Sequence, residues 1–241
     1  MKSDTPPPLK AAIFDYGNTL IEFSQTQIRR CDNALAELLK REFGPFDSSL
    51  FDRIRHADRM TPYTGEYREN GMETITRKLV KQLYHREPTD EQLRRMLQTR
   101  LEVFVESIET SPEVIALLGR LKKRYKLGLV SNYPCGRAIR ASLDRTGIGA
   151  YMDVVVVSGD VGHVKPHPKP FEAALSQLNV AANEAIYVGD NWLGDVQGAK
   201  RLGMRCAHIT QWDTPEKFDR QPGDHEPDYV LGNLLELERH L

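Results

Sequence analysis

The chain has 241 residues, enough for one large domain or two modest ones at roughly 100–200 residues each. Its 33 basic and 34 acidic residues leave a net charge of −1, which gives no electrostatic footprint for nucleic acid. Three scattered cysteines, no membrane-length apolar run and no signal-type stretch before Leu9 point to a soluble, cytoplasmic globular protein without a disulfide framework or cysteine zinc site.

Pro6–Pro8 read as a short extended lead-in. Lys10–Phe14 is a short apolar run of strand type that stops at Asp15. From about Ile21 to Ser107 the texture is helical, with apolar residues three and four apart. One face carries Cys31, Ala34, Leu35, Leu38 and Leu39, a second Met72, Ile75, Leu79 and Leu83, and a third Leu93, Leu97 and Leu101, opened by Thr89 or Asp90 as N-cap. The stretch 56–71 is polar and aromatic and interrupts that texture. Its Arg59 and Arg68 are candidate anion contacts and its Tyr63 and Tyr67 candidate ring platforms, set against an ordinary inter-helix connection.

After Ser111 strands and helices alternate. Strands are predicted at Lys126–Ser131, Met152–Ser158, Ala185–Gly189, Arg205–Thr210 and Asp228–Leu231. Helices are predicted at Glu113–Lys123, Arg137–Thr146, Lys169–Leu178 and Asp195–Leu202. Asp213–Pro227 reads as a surface loop before the last strand. The fold class is therefore α/β, a Rossmann-like three-layer core with a parallel sheet, made of residues 1–20 and 110–241. An all-helical second domain, residues 21–109, is inserted after the first strand.

Ligands of open parallel sheets sit at the carboxyl ends of the strands. Those ends carry Asp15, then Ser131 and Asn132, then Asp190 with Asp195 close behind, and a later loop adds Lys165. Any one alone reads as a helix cap, a turn former or a solvated lysine; together they make a site. Carboxylates approaching an anionic phosphate need cations, and an oxygen-seeking ion such as Mg²⁺ suits Asp15 and Asp190.

In this arrangement the sequence resembles the haloacid dehalogenase-like (HAD) hydrolases, in the subgroup with a helical cap inserted after the first strand. Asp15-x-x-x-Thr19 matches the nucleophile motif, Ser131 the second motif and Lys165 the third. Gly189-Asp190-x-x-x-x-Asp195, followed by Gly198-Ala199 and Gly203-Met204, matches the fourth. The resemblance implies a Mg²⁺-dependent phosphatase acting on a small phosphorylated metabolite through an aspartyl-phosphate. It implies Asp15 as nucleophile, Mg²⁺ held by Asp15, the Gly17 carbonyl and Asp190, and Asp195 behind them supporting the metal or Lys165. Ser131 and Lys165 would bind phosphoryl oxygens, Asn132 would face the substrate, and Thr19 would orient the first loop.

One departure stands out. Typical HAD phosphatases carry a second Asp, the general acid–base, where this chain has Gly17. Flanking His163 or His167 are candidate replacements. Dehalogenase chemistry, a Schiff-base reaction of the phosphonoacetaldehyde hydrolase type using Lys40, Lys78 or Lys81, and a non-catalytic phosphate-binding role remain open. Trp192 reads equally as a wall of the entrance or as packing, and oligomeric state is not readable.

Overall fold

Four short apolar segments with β-branched or small residues, Ala11–Phe14 (β1), Lys126–Ser131 (β2), Val154–Val157 (β3) and Ala185–Gly189 (β4), form one edge and the centre of a parallel sheet. Arg205–Ile209 (β5) and Tyr229–Leu231 (β6) complete it, in the order β3-β2-β1-β4-β5-β6. This is a computed structural model, and it describes residues 7–212, 218 and 220–241. Pro6 and much of the predicted 213–227 loop lie outside the described residues.

The period of two decides which side each strand residue covers. Ala12, Phe14, Leu129 and Val188 join one core cluster. Ala11, Ile13, Val130 and Tyr187 join the other. Helices fill both faces. Pro112–Leu121 and Gly136–Thr146 supply Leu117, Leu118, Ile139 and Leu143 to the first cluster. Pro168–Leu178 supplies Phe171 and Ala174 to the second.

The helical insert comprises α1 (Gln25–Phe43), α2 (Ser48–Met60), α3 (Met72–Tyr84) and α4 (Asp90–Ser107). Ser24 with Gln27 and Thr89 with Gln92 form capping boxes that fix the starts of α1 and α4. These helices bury their own cluster around Leu35, Leu39, Phe51, Leu79 and Met96.

Three expectations change. Residues 56–60 belong to α2, so the irregular stretch begins only at Thr61. The buried face of α4 is Leu93, Met96, Arg100, Phe104 and Ser107, with Leu97 and Leu101 only partly covered. An arginine on the buried stripe disguised it. The predicted helix at Asp195 is instead a wide turn, Trp192–Gln197, followed by the short helix Gly198–Arg201. It widens because the amides of both Asp195 and Val196 donate to the Asn191 carbonyl, at 2.8 and 3.2 Å, while the Asn191 side chain accepts from Gly194.

The insert's separate cluster sets a stability prediction. Leu79 is fully buried within it, so Leu79→Ala should cost about 2–5 kcal/mol in denaturant unfolding. A change below about 0.5 kcal/mol would show that this cluster does not contribute to global stability.

Candidate active site

β1 lies between β2 and β4, with Phe14 level with Leu129 and Val188. The order reverses here, and the residues that follow these strands converge at their carboxyl ends. Asp15 leaves β1, its amide donating to the Val188 carbonyl at 2.8 Å. Ser131 ends β2 and is buried. Asp190 follows β4.

Lys165 reaches into this junction from the loop before Pro168–Leu178. Its side chain is 3% exposed. Nζ lies 2.7 Å from Asp15 Oδ1, 2.7 Å from Asp195 Oδ1, 2.9 Å from the Val130 carbonyl and 2.8 Å from the Tyr187 hydroxyl. An ammonium carries three N–H donors, so these acceptors use all of them. Burial alone would lower the Lys165 pKa; the charges of Asp15 and Asp195 outweigh it and hold the group above its ordinary value. Asn132 fixes the loop that delivers the lysine: its Oδ1 accepts from the Lys165 amide at 2.8 Å and its Nδ2 donates to the Lys165 carbonyl at 3.1 Å. The same Nδ2 donates to the Tyr63 hydroxyl at 3.3 Å.

Asp15, Asp190 and Asp195 each bring a carboxylate oxygen within 4.8 Å of the others. Asp195 is committed twice, to Lys165 and, through Oδ2, to the Asn191 amide at 2.9 Å. Asp190 has no ion pair among the described residues. Burial, then the charges of Asp15 and Asp195, push its carboxyl well above the usual range. Burial likewise lifts Asp15 to about 6 against the lowering effect of Lys165. The cluster has more negative charge, buried or half-buried, than its one ammonium balances. Its donors are oxygens only, the chemistry of a hard divalent cation, so the residues present fit Mg²⁺. The uncommitted groups are the second oxygen of Asp15, the Asp190 carboxylate and the Gly17 carbonyl. The last stays outside the local backbone bridge, which uses Tyr16 O and Asn18 N instead.

Two glycines make room. A Cβ on Gly189 would lie 2.3 Å from Asp195 Oδ2. A Cβ on Gly17 would lie 3.2 Å from Phe23 Cβ. Phe23 therefore covers the position where a second acidic side chain would stand.

The remaining predicted residues fall as follows. Thr19 is fully buried and its hydroxyl lacks a hydrogen-bond partner among the described residues. Tyr16 points away from the carboxylates, its hydroxyl 2.9 Å from Ser142 Oγ. His163 and His167 stack on each other at 4.0 Å. Arg59 pairs with Asp32, and exposed Arg68 pairs with Glu66 at 2.9 Å. Trp192 is packing: it is 3% exposed, belongs to the second core cluster and donates to Asp224 Oδ2 at 2.7 Å. Lys78 pairs with Asp58 at 3.1 Å, Lys40 with Glu37 at 2.8 Å and Lys81 with Glu87 at 3.1 Å. None of the three contacts the Asp15 cluster.

Sequence reasoning missed Tyr187, which reads as one more β-former in AIYVG, and Glu69. Glu69 Oε2 accepts from Ser158 Oγ at 2.6 Å, and the Glu69 amide donates to the Gly162 carbonyl at 3.1 Å. The Val164 amide adds a bond to the Tyr67 carbonyl at 2.8 Å. The stretch after α2 is thus fastened to the Lys165 loop. Its only advance signal was the break in helical texture.

Comparison with known proteins agrees with this geometry. A family model described as haloacid dehalogenase-like hydrolase matches residues 46–209. A relative named pyrophosphatase PpaX, from Bacillus velezensis, is 39% identical over 125 residues, 52% of this chain and 56% of its own length. A Bacillus cereus protein of the same name is 32% identical over 133 residues, 55% of this chain and 58% of its own. The chain thus spans little more than half the length of these curated relatives. Among solved structures, a 2-haloacid dehalogenase from Pseudomonas syringae pv. tomato superposes with a TM-score of 0.72 at 25% identity, covering 96% of this chain and 97% of that one. Bacillus subtilis YfnB, in a magnesium-bound crystal form, superposes at 0.69 with 17% identity over 98% and 99% of the two chains, a likeness of fold. The extended family match, over a sheet whose strand ends carry the Asp15, Lys165 and Asp190 cluster, places this chain among the haloacid dehalogenase-like hydrolases.

Proposed function

We propose that the protein is a Mg²⁺-dependent phosphatase of a small phosphorylated metabolite, with Asp15 as covalent nucleophile. The observation that carries this reading is the half-buried Asp190 carboxylate, without an ion pair among the described residues and set beside Asp15 and Asp195. A dehalogenase has no use for that excess charge; a cation-assisted phosphoryl transfer does.

In this reading Asp15, Asp190 and the Gly17 carbonyl would hold Mg²⁺, which would supply positive charge against the phosphoryl oxygens. Lys165 holds the Asp15 carboxylate in place through Oδ1, and a carboxylate oxygen of Asp15 attacks phosphorus. As the oxygen–phosphorus bond forms, the bond to the leaving oxygen breaks, giving an aspartyl-phosphate. Water then cleaves that acyl phosphate, releasing phosphate and restoring the carboxylate. Lys165 has no N–H to spare, so it acts on the phosphoryl group by charge rather than by a direct hydrogen bond. The Ser131 and unpartnered Thr19 hydroxyls are donors for the oxyanion. Asn132 acts on substrate through the Lys165 loop. Residues 21–109 serve as the cap, since the stretch after α2 is already bonded to the Lys165 loop, and closure excludes water.

With Gly17 at the acid–base position, substrates whose leaving group departs without a strong acid are favoured. A phosphoanhydride fits that requirement, and the partial relatives named pyrophosphatase point the same way. The second reading, halide displacement by Asp15, draws on the same glycine and on the dehalogenase likeness.

p-Nitrophenyl phosphate separates them. Release of nitrophenolate with Mg²⁺, lost in EDTA and lost in Asp15→Asn, is expected. Halide release from a 2-haloacid in EDTA, with no phosphatase activity, would overturn the assignment. Gly189→Ala tests the positioning of Asp195: the methyl group must displace its carboxylate, and kcat should fall at least about 100-fold. Wild-type kcat in a folded Gly189→Ala protein would contradict the role given to Asp195.

A further inference from the structure

Arg100 has no place in the mechanism above, yet it is built into the protein at evident cost. It lies on the buried stripe of α4 and is 9% exposed. Among the described residues its guanidinium makes no ion pair, and Nη1 is buried without a hydrogen-bond partner. A buried charge is normally paired, because leaving water uncompensated is expensive. Its charged neighbours pull in opposite directions, Arg55 against the charge and Asp32 for it. Arg55 raises the positive potential, and Asp32, the nearby carboxylate, is already shared by Arg55 at 3.0 Å and by Arg59. Burial, with Arg55 second, lowers the Arg100 pKa only to about 10, so the group stays cationic at neutral pH.

Its position is equally informative. One turn along the same face, Phe104 packs on Tyr133 with ring centroids 4.4 Å apart and on Phe23 at 5.6 Å. Tyr133 follows Ser131 and Asn132 directly, and Phe23 is the ring that covers Gly17. Phe104 therefore stands in the seam between the helical insert and the sheet, on the side of the Asp15 loop, and Arg100 lies one turn before it on the same buried stripe.

We infer that Arg100, backed by Arg55, binds a second oxyanion on the substrate, so that the substrate is a phosphate ester or anhydride whose leaving group carries its own carboxylate or phosphate. The inference rests on the phosphatase reading for what the first anion is. It adds that the leaving group is anionic, and it gives the unpaired guanidinium its partner.

Binding tests it without turnover, in the Asp15→Asn background at fixed free Mg²⁺. Thermal-shift titrations compare methyl phosphate, which has no second anion, with 2-phosphoglycolate and with pyrophosphate. At least one of the last two should reach half-saturation at a concentration at least tenfold lower than methyl phosphate, and which one does so tells carboxylate from phosphate. Adding Arg100→Met should abolish that preference while the unliganded protein melts no lower than its parent. Arg100→Lys, which keeps the charge, should retain part of the preference and serves if the Met variant does not fold. Equal affinities in the parent, or a preference that survives Arg100→Met, would overturn the inference. Because these are binding readouts, a chain that fails to hydrolyse p-nitrophenyl phosphate can still pass or fail them, which separates this inference from the phosphatase assignment.

Discussion

The ammonium of Lys165 is the interaction on which the site depends. It is buried, and it takes acceptors from Asp15 after β1, Val130 in β2, Tyr187 in β4 and Asp195 in the turn after β4. Those partners meet only because β1 lies between β2 and β4. Removing one member of a buried charge pair typically costs about 3–5 kcal/mol, because the other charge is left unbalanced. The same requirement explains smaller features. Gly189 has no side chain because Asp195 needs the space, and Asn132 spends both ends of its amide on the backbone of Lys165.

Charge balance links the fold to chemistry. One lysine compensates Asp15 and Asp195, and Asp190 remains over. A half-buried carboxylate without a counter-charge is costly, and a divalent cation is the compensation proposed here. The mirror image occurs in the helical insert, where Arg100 is a buried cation with no ion pair among the described residues. An acidic cluster short of positive charge and an arginine short of negative charge are the two features on which the proposed metal ion and the proposed polyanionic substrate rest.

Much of the architecture was legible in the sequence. Short runs such as AAIF and VVVV, buried on both faces of a parallel sheet, are nearly all apolar, and turns bracket them. The residues at their carboxyl ends were legible for the same reason, since polar groups at strand ends are exceptions to the pattern. What stayed hidden shares a cause. Tyr187 looks like an ordinary strand residue; its hydroxyl matters because Lys165, 22 residues away, arrives beneath it. Asp195 was expected to open a helix, but Asn191 captures three amides and winds the turn more widely. Arg100 broke the apolar period of α4, so the leucines beside it took its place in the sequence reading. In each case a contact distant in sequence overrides a local regularity, and such residues concentrate at functional sites.

Melting temperature reads directly whether the carboxylate cluster is short of one cation. Wild type and Asp190→Asn are compared in EDTA and in Mg²⁺ at neutral pH. In EDTA the variant should melt higher than wild type, because burial and the neighbouring Asp15 and Asp195 hold the Asp190 carboxyl above its ordinary pKa, so its charged form is a burden to the fold. In Mg²⁺ wild type should gain stability and the variant should gain little. A variant that melts lower than wild type in EDTA, or that gains as much from Mg²⁺, would contradict the account.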